Sequence, residues 1–199
     1  MVISGIHRER GRAGPEMDFK MVLEKVLGEF EIRRIRYALM GGFALSLWGV
    51  ARATVDMDFL VARDDMDKVH DTMSALGYER VYHSENVSQY TSTIAVFGEI
   101  DFIHAFRQAS LGMLERAEKK EIFGGRRTIR VLVPEDIIGL KVQAIANNPS
   151  RTATDLSDIQ SLMELHGEKL DWARIDEYFN LFEMESLAAE LKDKYRAAR

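Results

Sequence analysis

The sequence predicts an α/β protein, with a mixed sheet flanked by helices and followed by a helical segment, and three observations carry that prediction. Residues 36–61 read as a strand, a glycine turn, a short helix and a second strand. Residues 78–105 read as three strands rich in aromatic and β-branched residues, joined by short loops. From about residue 134 onward, the apolar residues recur at helical spacing.

The composition bounds what such a protein does. At 199 residues the chain is long enough for one sizeable domain, or one domain with a small helical extension. No stretch approaches the apolar length of a membrane span and the N-terminus lacks a continuous apolar segment, so a cytoplasmic protein with no membrane partner is expected. The absence of cysteine excludes disulfides, thiolate metal sites and a thiol nucleophile. None of the five histidines has zinc-ligand spacing, and neither a serine-hydrolase elbow nor a Walker-type loop is present. A net charge of −5 argues against a uniformly basic nucleic-acid binder, although it leaves room for a local basic groove.

Taken in order, residues 1–16 hold the basic run His7-Arg8-Glu9-Arg10-Gly11-Arg12 and end at Gly14-Pro15, so a flexible arm is expected. From Met17 to Phe30, apolar residues at helical spacing predict a packing helix. Arg36–Met40 is the first expected strand and Phe43–Trp48 the following helix, which makes Gly41-Gly42 the turn between them. Glycine there lets the backbone approach a ligand, and the amides opening the helix point outward, a position that suits a triphosphate. A plain structural turn is the other reading. Next, Val55, Met57, Phe59 and Val61 alternate with Asp56, Asp58 and Leu60, and a strand over this stretch sends both carboxylates to one face. Two anions side by side in an apolar strand conflict unless a cation joins them, and hard oxygen ligands suit Mg²⁺. Arg52 and Thr54 precede the pair at alternating positions. Arg52 is read either as a phosphate contact or as a neutralising partner of the carboxylates, and Thr54 as a donor to phosphate or to an aspartate.

After this stretch, Arg63-Asp64-Asp65 opens a helix that ends at Gly77, with Asp64 or Asp65 as the N-cap. Strands follow at Tyr78–Tyr82, Gln89–Val96 and Glu99–Ala105, the last carrying Asp101 inside an apolar run. Asp101 is the natural third carboxylate of the site, an arginine-paired edge residue being the alternative. Residues 106–133 concentrate Arg107, Arg116, Lys119, Lys120, Arg126, Arg127 and Arg130. These charges read as a rim for a polyanion or, with Glu115, Glu118 and Glu121, as a solvated helix; Gly124-Gly125 predicts a hairpin. Pro134-Glu135-Asp136 marks a helix start, and Lys141 falls on its apolar stripe, where it needs a partner. Two more amphipathic segments run from Trp172 to Phe182 and from Met184 to Tyr195.

Gly41-Gly42 followed by Arg52-x-Thr54-x-Asp56-x-Asp58 resembles the signature of the nucleotidyltransferase superfamily with the DNA polymerase β-type fold. Lys141 with Arg151-x-x-x-Asp155-x-x-Asp158 resembles elements of the AbiEii toxin type within it, except that Thr154 replaces the usual lysine before Asp155. The resemblance covers roughly residues 35–160. It implies a bound nucleoside triphosphate (NTP), Mg²⁺ or Mn²⁺ held by Asp56, Asp58 and Asp101, and transfer of a nucleoside monophosphate (NMP) to a hydroxyl with loss of pyrophosphate. Asp101 would complete a second metal position or accept the hydroxyl proton. Gly41, Gly42, Arg52, Thr54 and Lys141 would bind the nucleotide, with Asp155 positioning Lys141; a purely structural Lys141–Asp155 pair is the alternative. The implied acceptor is tRNA or other RNA, a protein side chain as in toxins with an antitoxin partner, or a small molecule as in aminoglycoside nucleotidyltransferases. A catalytically silent nucleotide- or partner-binding module is the reading from another class. On this basis the expected organisation is an arm over 1–16, a nucleotidyltransferase core over 17–133 and a helical segment over 134–199 packed on the core.

Overall fold

The structure is a computed structural model and describes residues 17–196; the arm expected over residues 1–16 lies outside them. The described chain forms two compact units. Residues 17–44 and 52–132 make one and contain the sheet, while residues 45–51 and 133–196 make the other, which is helical.

The sheet unit has seven strands: β1 Tyr37–Met40, β2 Met57–Ala62, β3 Tyr78–His83, β4 Val87–Ser92, β5 Glu99–Ala105, β6 Glu118–Ile122 and β7 Arg127–Val131. Their order is β3-β4-β5-β2-β1-β7-β6. β2 pairs with β5, and β1 with β7, in parallel; the other neighbours are antiparallel, so the sheet is mixed. The central β2 is buried at every position but Asp58, and its apolar run suits a strand covered on both faces.

Helix α1 (Phe19–Ile32) covers one face. Asp18 accepts the Met21 amide and so caps it, and the 3.6-residue period buries Val22, Leu23, Val26, Leu27 and Phe30. Phe30 meets Phe59 at 5.9 Å and Phe102 at 6.2 Å, while Phe59 and Phe102 stack at 5.7 Å. Because side chains alternate along a strand, anchoring Phe59 and Phe102 against α1 sends Asp58 and Asp101 to the opposite face.

Several expected boundaries move, each for a local reason. The strand expected from Val55 begins at Met57, because the Thr54 hydroxyl donates to the Asp56 carbonyl (3.1 Å) and offers the backbone a turn instead of a ladder. Asp56 therefore precedes the strand. The helix expected from Phe43 begins at Gly41 itself, giving a seven-residue α2 (Gly41–Leu47). Asp65 stands at the N-cap of α3 (Met66–Ala75) without capping it; its buried carboxylate accepts from the Arg36 amide (3.1 Å), Arg36 Nε (2.9 Å) and Lys68 Nζ (2.8 Å). The strand expected to reach Val96 stops at Ser92, and Ala95–Phe97 form a 3₁₀ turn. The solvated helix considered for 115–121 is overturned: α4 (Gln108–Arg116) ends and β6 begins, pairing with β7 across the expected hairpin.

The helical unit holds α5 (Pro134–Asn147), α6 (Thr152–His166), α7 (Trp172–Leu181) and α8 (Glu185–Tyr195). Pro134 starts α5 as its fixed φ favours. The acids of its first turn are buried and used for packing: Asp136 accepts from the Tyr178 hydroxyl (2.7 Å) and Glu135 from the Asp171 amide (2.8 Å). His166 Nε2 lies 2.8 Å from the Trp48 carbonyl oxygen, which ties residues 45–51 to α6.

Candidate active site

Three elements of the sheet unit bring the polar residues together. Asp58 on β2 lies in register with Met40, the last residue of β1, on one side and with Asp101 of β5 on the other. In-register neighbours project to the same face, so the Asp58 and Asp101 carboxylates stand side by side, 43 residues apart in sequence.

Gly41 closes the space behind Asp58. Its φ is +68°, which disfavours any side chain, and a Cβ built there collides with the Asp58 carboxylate. The glycine turn and the aspartate are thus one piece of geometry. A Cβ at Gly42 would stand 2.8 Å from Thr54 Oγ1 and 3.9 Å from Arg52 Nε, so Arg52 and Thr54 lie against the same turn. Thr54 Oγ1 also lies 3.3 Å from Asp56 Oδ1, one of the two orientations the sequence left open for it.

The surroundings of Asp101 alter its acidity. Burial pushes its pKa up to about 6; a hydrogen bond from Gln89 Nε2 to Oδ2 (3.1 Å) opposes the shift, and the charges of Asp56 and Glu99 add to it. Asp56 is close enough to be felt there although it lies outside the strand. In the sequence Gln89 marks only the start of an expected strand and carries no sign of a role in the site. It sits on β4 in register with Asp101, and nothing in the sequence announces that pairing.

The donor set fits a hard divalent cation: all three side chains offer carboxylate oxygen, and the missing side chain at Gly41 is what lets the Asp58 carboxylate lie against the glycine turn. Among the described residues no three acidic or histidine side chains converge into a ready cage. Mg²⁺ needs no such cage, since one or two carboxylates plus substrate phosphates usually hold it.

Lys141 and Asp155 belong to the helical unit. Lys141 Nζ on α5 donates to Asp155 Oδ1 (2.9 Å) and to Asp158 Oδ2 (2.6 Å) on α6, and Arg151 Nε donates to Asp155 Oδ2 (2.8 Å). Burial acts to raise the Asp155 pKa, but the Arg151 hydrogen bond and the Lys141 charge overcome it and hold the group below the ordinary carboxylate range. Asp158 is the member whose contact the sequence did not assign. Its i, i+3 spacing from Asp155 puts both carboxylates on the α6 face that meets Lys141.

The fold is that of the polymerase β-type nucleotidyltransferases. Similar solved structures include the antibiotic-resistance factor ANT(2'')-Ia, 15% identical, covering 89% of this chain and 99% of that one with a TM-score of 0.63. The lincosamide antibiotic adenylyltransferase LnuA is 18% identical over 76% of this chain and 99% of its own, with a TM-score of 0.55. A putative nucleotidyltransferase from Thermotoga maritima is 12% identical over 71% and 93%, with a TM-score of 0.54. No curated protein matches the chain in sequence. Over residues 17–191 the chain matches the family described as uncharacterised nucleotidyltransferases, and it belongs to that family.

Proposed function

We propose that this protein transfers an NMP from an NTP to a hydroxyl of a small molecule, with release of pyrophosphate and dependence on Mg²⁺ or Mn²⁺. The observation that carries the reading is the in-register pairing of Asp58 with an Asp101 whose pKa is raised to about 6. A carboxyl group titrating near 6 is ionised at neutral pH yet basic enough to accept a proton as it is released. Asp101 takes the acceptor hydroxyl's proton while its oxygen attacks the α-phosphorus; the new O–P bond forms as the bond to the bridging α,β-oxygen breaks, and pyrophosphate leaves. Gln89 holds one Asp101 oxygen, which fixes the carboxylate plane and leaves the other oxygen for the hydroxyl. Asp56 and Asp58 would hold the cation, which when bound neutralises the triphosphate. Gly41 and Gly42, lacking side chains, let Asp58 and Thr54 close on the turn, and Arg52 and Thr54 contact phosphate from that turn.

Two observations support a small-molecule acceptor over RNA or protein. ANT(2'')-Ia has been seen with adenylyl-2''-tobramycin and LnuA with lincomycin, and both share this fold. The chain is also acidic, with net charge −5, which favours a neutral or cationic polyhydroxyl compound over a polyanion. The toxin reading rests on the resemblance of Lys141 and the Arg151–Asp158 motif, in which Thr154 departs from the pattern.

The test is calorimetric titration of each NTP with Mg²⁺ and with EDTA, followed by transfer of labelled NMP to aminoglycosides, lincosamides and bulk tRNA. Metal-dependent binding that disappears in Asp56→Ala/Asp58→Ala, with label on a small hydroxyl compound, is the expected result. Label on tRNA would overturn the acceptor class, and no NTP binding would overturn the enzyme.

A further inference from the structure

We propose that the sheet unit carries a second ligand site, on the face of the sheet away from Asp58, for a small organic anion with an apolar body and a phosphate or carboxylate group. The site does not depend on the transfer reading. β1 and β7 share a single register pair, Leu39 with Val131, and toward the start of β1 the two strands part. Tyr37 occupies the gap, its hydroxyl facing the Arg130 backbone N–H. Tyr37 pairs with Val61, three residues from Asp58 on β2, so it projects to the α1 side of the sheet, and it meets Phe30 of α1 at 5.2 Å.

Between the end of α1 and the β6–β7 hairpin, this parting leaves a cavity of about 420 Å³, within the size range of small-molecule sites. Its floor is apolar and buried, made by Leu27, Phe30, Ile35 and Ile129. Its rim is cationic, made by the exposed side chains of Arg34, Lys119, Arg126 and Arg127, with Glu31 the single carboxylate on the lining. Arg130 also lines the cavity, but its guanidinium is occupied by the Leu114 and Ala117 carbonyls at 2.9 Å each.

Two features point to a ligand. Among the described residues, no salt bridge joins Arg34, Lys119, Arg126 or Arg127 to a carboxylate, so four like charges surround one opening with little local neutralisation. Arg34 reaches the rim through a backbone φ of +54°, uncommon for a residue with a side chain; its amide donates to the Glu31 carbonyl (3.2 Å) and the next amide to the Phe30 carbonyl (2.9 Å). A left-handed residue is a common way for a helix to end, and here it sets a cation at the mouth of an apolar hollow. An anionic group among the rim charges with an apolar body against the half-buried Tyr37 ring and Ile35 satisfies both halves of the site.

The probe is 8-anilinonaphthalene-1-sulfonate, an aromatic anion, titrated by fluorescence into the full chain and mapped by amide chemical shifts. Saturable binding with shifts confined to residues 34–37 and 125–130 is expected. Arg34→Asn/Arg127→Gln should weaken it by about tenfold or more, as loss of charge-assisted hydrogen bonds implies, and Asp56→Ala/Asp58→Ala should bind like the wild type. Asn is chosen at position 34 because it tolerates positive φ; if the variant does not fold, the wild-type shift map decides. Competition by phenyl phosphate and by phenylacetate tells which anionic group is preferred. Shifts that centre on Asp58, unchanged binding in a folded double variant, or displacement by inorganic phosphate as effective as by phenyl phosphate would each overturn the proposal.

Discussion

At residue scale, Gly41 and Gln89 constrain the two carboxylates that face each other across β2 and β5. Gly41 has no room for a methyl group beside Asp58 and holds a φ of +68°. Gly41→Ala is therefore expected to destabilise the sheet unit by about 1–3 kcal/mol through backbone strain and to displace Asp58, which a urea titration paired with NTP calorimetry measures as a lower midpoint and lost binding. Gln89 hydrogen-bonds the ionised form of Asp101 and opposes the upward shift that burial imposes. Gln89→Leu removes that opposition, so the acid limb of the pH–rate profile should move above pH 6. A merely structural role for Gln89 would lower the melting temperature and leave the limb in place. Asp101 also has a consequence for stability in the metal-free protein. Its folded pKa lies above the unfolded value near 4, so the folded state binds the extra proton between about pH 4 and 6, and stability falls as pH rises through that window.

At the scale of elements, α5 and α6 are joined by Lys141, Asp155, Asp158 and Arg151, with Asp155 almost wholly buried. Removing one charge from such a group leaves the others without compensation. Asp155→Ala should cost about 3 kcal/mol or more, read as the shift in a denaturation midpoint, and Lys141→Met/Asp155→Leu should recover part of it. Because the Asp155 pKa is depressed on folding, the stability it contributes is present above its unfolded pKa near 4 and is lost as pH falls below it. The helical unit should accordingly soften in acid, and Asp155→Asn should flatten that dependence in pH-resolved melts. Helical periodicity made α5 and α6 legible in the sequence. That Lys141 meets both carboxylates follows from how the two helices pack, which periodicity does not specify.

For the whole molecule, nucleotide should act as a folding ligand that needs metal. At one hundred times the dissociation constant, an NTP binding only the native protein adds about 2.7 kcal/mol, so the melting temperature should rise with Mg²⁺ and NTP together. EDTA, or Asp56→Ala/Asp58→Ala, should abolish the rise.

The sequence by itself determined the α/β class and the helical C-terminal part, because alternation and helical period are local and follow from backbone sterics, and the resemblance carried by its glycine–aspartate signature pointed to the nucleotidyltransferase superfamily. Only the tertiary structure decided which strands lie side by side. Pairing brings Asp101 and Gln89 to Asp58 across distances in sequence that no local pattern spans. It also decided Asp56, which a period-two reading put in the strand and the Thr54 hydroxyl turned out of it. Register is set by which faces are buried together, here Phe59 and Phe102 against Phe30, and that is a property of the packed molecule.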